Sequence, residues 1–165
     1  MVGKKVRDFT CGSMADACNF KTSCSQYVKN LDPKAFDRYK TKLQYCHGVE
    51  QIPDPYSISE GWKKEVELWP DLTYGDICVY LIETPGLYTK ESLRAYKSLE
   101  AYSTFTCGHV KEVSYHPVAD SCPFCLLKAQ VIPSQRLRDK PHEAWVCLNK
   151  QDGSVYCAHC TCMAG

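Results

Sequence analysis

The hydrophobic pattern changes period once along the chain, near Ser103. Before it apolar residues recur every three or four positions; after it they alternate with polar ones. The first clear helical stretch covers residues 31–47. Asp32 is placed to cap it, Pro33 suits the first helical position, and Leu31 with Phe36 are spaced for a hydrophobic staple. Phe36, Tyr39, Leu43 and Cys46 form its apolar stripe, and Gly48 ends it. Residues 51–57, with Pro53 and Pro55, read as a linker and as the candidate boundary. A short helix is expected over 59–69, with Trp62, Val66 and Trp69 on one face and Pro70 as its stop. Another covers 73–83, where Thr73 and Asp76 make a capping-box-like pair and Ile77, Tyr80 and Leu81 face inward. Thr84-Pro85-Gly86 breaks it, and Thr89 caps a further helix to about Tyr102 with Leu93, Tyr96, Leu99 and Tyr102 buried.

Beyond Ser103, four alternating stretches predict strands at about 104–116, 125–132, 145–148 and 155–160. Asp152-Gly153 is a hairpin turn signal between the last two. Most connections are short enough for antiparallel pairing. The exception is a polar loop over 133–142 that holds Arg136, Arg138, Lys140 and His142. The expected class is therefore α+β, with N-terminal helices packed on one face of a small antiparallel sheet. Along the chain this divides into a Cys-containing helical segment at 1–50, a helical region at 51–102 and a sheet region at 103–165.

Composition narrows the function. The 165 residues are 44% apolar and 24% charged, enough for one domain with a core. A net charge of +1 gives no global field toward nucleic acid or membrane, so any nucleic-acid contact must come from a local patch. Arg136 and Arg138 are the candidates for phosphate contact, against the plainer reading of a solvated loop. No apolar run is long enough to span a bilayer, and residues 1–8 lack the apolar centre of a signal peptide. Twelve cysteines would be a disulfide framework in a secreted chain. Here they are expected to be reduced and intracellular, in nucleus or cytoplasm, with some binding metal.

The sharpest chemical signal is Cys160-Thr161-Cys162 at the end of the last strand. Residues i and i+2 share a strand face, so both sulfurs are aimed one way, which is half of a tetrahedral zinc site. Cys157 and His159 alternate to the opposite face and are poor co-ligands. Cys122-Pro123-Phe124-Cys125 has zinc-knuckle or redox spacing. It joins Cys107 and His109 in a second candidate site only if the ends of their strands meet; otherwise it is a tight turn entering a buried strand. Cys107-Gly108-His109 as nucleophile and base lacks any orienting or oxyanion signature, so no catalysis and no small-molecule substrate are expected. Cys11, Cys18, Cys24 and Cys46-His47 fit no short zinc knuckle and read as buried or idle thiols, with a second metal site as the alternative.

Cys-x-Cys after a Trp-containing hairpin, followed by Met163-Ala164-Gly165, resembles the opening of a SWIM-type zinc finger. Trp69-Pro70, Tyr74-Gly75-Asp76-Ile77, residues 92–102 and Pro133-Ser134-Gln135-Arg136 are similar to the region that precedes a SWIM finger and a YqaJ-type exonuclease in large invertebrate proteins. The resemblance implies a ββα finger beginning at about residue 145, zinc as its ion, Cys160 and Cys162 as the first two ligands, and DNA or protein as the partner. That family supplies its other ligands from a Cys-x-His after a variable spacer. The pattern is absent up to Gly165, so the finger is incomplete here and the two thiols alone are not expected to hold zinc tightly. Residues 163–165 are expected to be mobile as an unanchored terminus. Two other readings stay open: a non-catalytic accessory region of a YqaJ-type nuclease, and a metal-free structural or interaction fragment.

Overall fold

The computed structural model describes residues 22–44, 52–83, 103–133 and 139–162. Two helices come first, α1 (Gln26–Lys29) and α2 (Pro33–Leu43). A 3-10 turn (Val66–Leu68) and helix α3 (Tyr74–Glu83) follow. Then come strands β1 (Ser114–His116), β2 (Phe124–Val131), β3 (His142–Asn149) and β4 (Val155–Cys160). The strands form one antiparallel sheet in the order β1-β2-β3-β4. The α+β class expected from the change of period is what forms.

Asp32 caps α2 as its sequence position suggests, accepting from the backbone N–H groups of Lys34 (3.0 Å) and Ala35 (3.1 Å). Leu31 and Phe36 both pack against the core. Tyr39 and Leu43 are its buried face. The Thr73–Asp76 box also forms: Thr73 N–H donates to Asp76 (2.9 Å) and Asp76 N–H to the Thr73 hydroxyl (3.4 Å).

Alternation splits the sheet into two faces. Phe124, Leu126, Trp145, Cys147 and Cys157 meet Cys24, Val28, Tyr39, Leu43 and Ile52 in one cluster. Cys125, Leu127 and Leu148 meet Tyr115 on the other, with Trp69, Leu72 and Val146 beside them. Residues from 24 to 157 thus share one core.

Several expectations are corrected. The proline segment is no free linker, because Ile52 (1% exposed) and Asp54 (3%) are buried in that core. Asp54 accepts from Ser25 N–H (2.8 Å), the Tyr39 hydroxyl (2.6 Å) and Tyr56 N–H (3.0 Å), which ties both helices and the turn after Pro53 to one carboxylate. The helix over 59–69 does not form beyond the 3-10 turn. Gly61 sits at φ +80°, and Lys63 exchanges backbone hydrogen bonds with Tyr115 (2.8 and 2.7 Å), so the stretch runs beside β1 as a single antiparallel bridge instead of coiling. Trp62 and Trp69 consequently pack in different clusters, and Val66 is 60% exposed. Ile77 is also exposed; α3 meets the sheet through Tyr80, whose hydroxyl accepts from Ala158 N–H at 3.1 Å. The strand expected from residue 104 begins only at Ser114. A helical turn at 103–106 and Gly108 at φ +74° intervene, leaving Val110 a lone bridge to Val131. The helix over 89–102, with Leu93, Tyr96 and Leu99, lies outside the described residues, as do Cys11, Cys18, Cys46, His47 and residues 163–165.

Candidate metal site at the end of the hairpin

Strands β3 and β4 pair with Ala144 opposite Cys160, Trp145 opposite His159 and Cys147 opposite Cys157. The ladder runs one residue past β4: Thr161 N–H donates to the Glu143 carbonyl (3.0 Å), and Glu143 N–H to the Thr161 hydroxyl (2.9 Å). Thr161 is therefore pinned to the sheet, and the two cysteines flanking it are held at the hairpin's end. The chain bends after Cys160, and Cys162 N–H points back at the Cys160 sulfur at 3.3 Å. The Cys162 backbone is thereby held against the Cys160 thiol.

Burial first, and the Cys162 thiol second, push the Cys160 thiol up to about 11. Near neutral pH it carries its proton, so a metal at this pair must displace that proton to win a thiolate. The donor chemistry suits zinc: two soft sulfurs on one side, with a backbone N–H already aimed at one of them. Among the described residues no cluster of three or more His, Cys, Asp or Glu is arranged for a metal ion.

His159, beside the pair, is engaged elsewhere. Its Nε2 lies 3.0 Å from the Tyr27 hydroxyl and its Nδ1 3.4 Å from Lys42 Nζ. The Lys42 ammonium has only protons to offer, so Nδ1 accepts and Nε2 bears the ring proton. The ring sits among Tyr27, Tyr39, Tyr56 and Trp145. Burial, then the Lys42 charge, lower its pKa from 6.5 to about 4. The unfolded chain therefore binds a proton that the folded chain refuses between those values. This contribution to stability is complete above pH 6.5 and is lost as pH falls toward 4. Urea midpoints measured across that window should fall on acidification, and His159→Gln should flatten the slope.

The second candidate site is not assembled. Cys122 and Cys125 lie at the start of β2, whereas His109 is at its far end, with Nδ1 3.0 Å from the Ile132 carbonyl. Seven residue steps of extended chain put them about 23 Å apart. Cys125 is fully buried with its thiol donating to the Leu148 carbonyl, and burial raises it to about 11. Cys147 is raised by its hydrogen bond to Cys157 and then by burial. These thiols are core. Cys107 is exposed, and the His109 nitrogen facing Ile132 is occupied by that carbonyl.

Arg136 and Arg138 lie outside the described residues. Their neighbours Lys140 and His142 line a cleft of about 520 Å³, together with Ser25, Tyr27, Tyr56 and Thr161. Tyr56 closes one wall by donating its hydroxyl proton to the Glu143 carbonyl at 2.9 Å. This aromatic wall has no periodic signature. The one cue for Tyr56 was Asp-Pro-Tyr-Ser, an Asx-turn pattern inside a stretch that read as linker. Compared with known proteins, the chain matches no family model, no curated protein and no solved structure.

Proposed function

We propose that this chain is a zinc-ion-binding module of the SWIM type that binds DNA or protein and performs no catalysis. Cys160 and Cys162 supply two thiolate ligands, and the family's Cys-x-His pattern supplies the other two. The observation that carries this reading is the bend after Cys160, which turns Cys162 N–H onto the Cys160 sulfur at 3.3 Å and so keeps the two cysteines together. The ion, when bound, links the hairpin to whatever segment brings the remaining ligands, and metal binding is then folding energy for that segment. Nucleus or cytoplasm suits such a site, since thiols there stay reduced.

The surface beside the metal is the binding face. Arg136 and Arg138 contact phosphates, followed in sequence by Lys140 and His142 on the rim of the cleft. Binding to duplex DNA is expected to be weak and to fall steeply with salt. Removing both arginine charges should reduce the slope of log affinity against log salt by about 2. Fluorescence anisotropy with a labelled duplex reads this. Affinity and salt slope indifferent to Arg136→Ala with Arg138→Ala would reject DNA as the partner at this loop and leave protein.

A further inference from the structure

We infer that Cys160 and Cys162 also form a redox pair that closes to a disulfide by exchange with a small-molecule disulfide, and that closure and metal binding exclude one another. The exclusion rests on the metal reading above; the disulfide does not.

In a straight strand, residues i and i+2 lie about 6.6 Å apart along the axis, at the long end of what a disulfide spans. The bend at Thr161 and Cys162 removes that obstacle. Cys162 N–H reaches the Cys160 sulfur at 3.3 Å, and a side-chain rotation at Cys162 then suffices to bring its own sulfur to that thiol. Both cysteines are half-buried, so a small reagent reaches them. Cys147 and Cys157 face each other across β3 and β4 but are sealed at 0% and 6% exposure. Cys24 and Cys125 are sealed as well. Cys78 lies on α3 and Cys107 is an exposed thiol on a different loop. Cys122 is half-buried, but Cys125, its partner in the Cys-x-x-Cys spacing, is sealed. Among the described cysteines, a neighbouring thiol within reach and access for a reagent thus coincide at Cys160 and Cys162.

The exchange balances in two steps. One thiolate attacks the small disulfide, forms a mixed disulfide on the protein and expels one small thiol. The neighbouring thiolate attacks that protein sulfur and expels the second. Two protein thiols lose two hydrogen atoms, and one small disulfide becomes two thiols. With both sulfurs bonded to each other, neither remains a thiolate ligand.

The full chain is incubated with oxidised glutathione, quenched in acid, alkylated and mapped by mass spectrometry. Three results are expected. Cys160 and Cys162 appear bridged, Cys107 keeps a glutathione adduct, and Cys125, Cys147 and Cys157 alkylate only after unfolding. In Cys160→Ser the adduct on Cys162 should persist, because nothing expels it. Stable glutathione on Cys160 or Cys162 of the native chain without a bridge would overturn the proposal, as would a Cys147–Cys157 bridge forming first. In the chain carrying a Cys-x-His on a spacer after Gly165, saturating zinc beforehand should slow closure at least tenfold. Closure at an unchanged rate while zinc is held by Cys160 and Cys162 would overturn the exclusion. No zinc bound to that extended chain would remove the exclusion with the metal reading and leave the bridge as measured.

Discussion

Asp54→Ala should cost about 3–5 kcal/mol, enough to unfold much of the population of a marginally stable domain. The carboxylate is 3% exposed and accepts three hydrogen bonds, from Ser25 N–H, the Tyr39 hydroxyl and Tyr56 N–H. Bonds to a charged acceptor are worth about 1.5–3 kcal/mol each, and truncation also strands their donors in the interior. The effects are not additive, so the sum is capped well below three full bonds. Asp54→Asn gives an internal check. Its oxygen keeps the Tyr39 and Tyr56 bonds at Oδ1 but turns an amide N–H toward the Ser25 N–H. It should therefore lose less than Ala. Urea unfolding that places Asp54→Ala within about 1 kcal/mol of the parent would show that the carboxylate does not hold the two helices and the turn after Pro53 together.

Gly153→Ala is the other large effect expected. Gly153 sits at φ +73° in the hairpin turn, and an added Cβ would strike the backbone carbonyl oxygen of Asp71. The left-handed dihedral alone costs an alanine about 1–2 kcal/mol. Displacing the Asp71–Leu72 backbone, which leads into α3, should bring the total to about 2–4 kcal/mol. Gly108 is the matched control, at φ +74° with nothing near its would-be Cβ. Gly108→Ala should show the dihedral cost without the collision. Equal losses in the two variants, read from denaturant midpoints, would mean that the hairpin and the Asp71 segment separate freely.

What the sequence revealed and what it hid have physical reasons. Caps are local, so Asp32 and the Thr73–Asp76 pair were legible from residue type and spacing alone. The strand β2 was legible as an apolar run because Phe124–Leu127 is buried on both faces, and β4 as an alternation because Cys157 turns to the core. Residues 59–69 misled because Trp62, Val66 and Trp69 sit at helical spacing for unrelated reasons. Trp62 packs toward the helices and carries the Lys128 ammonium 4.2 Å over its ring, while Trp69 packs on the opposite sheet face. Such tertiary assignments leave no trace in a window of ten residues. Asp54 was hidden likewise: its partners lie 29 and 15 residues away as well as next door. At the candidate site, alternation set Cys157 and His159 on one face together, and in the structure Cys157 joins the core while the His159 ring packs on Tyr39. The bend that closes the distance between Cys160 and Cys162 was not legible, since it depends on Thr161 being held by Glu143 across the hairpin.

The central claim is that Cys160 and Cys162 are the first half of a zinc site. Two thiolates supply half a tetrahedral shell, and each must first give up a proton that burial helps hold on Cys160. The most direct measurement is zinc content, by elemental analysis after gel filtration, of the chain carrying a Cys-x-His on a spacer after Gly165, alongside its Cys160→Ser and Cys162→Ser variants. The account predicts one zinc per chain, lost in either variant. An extended chain that holds no zinc, or one that keeps its zinc in both variants, would contradict it.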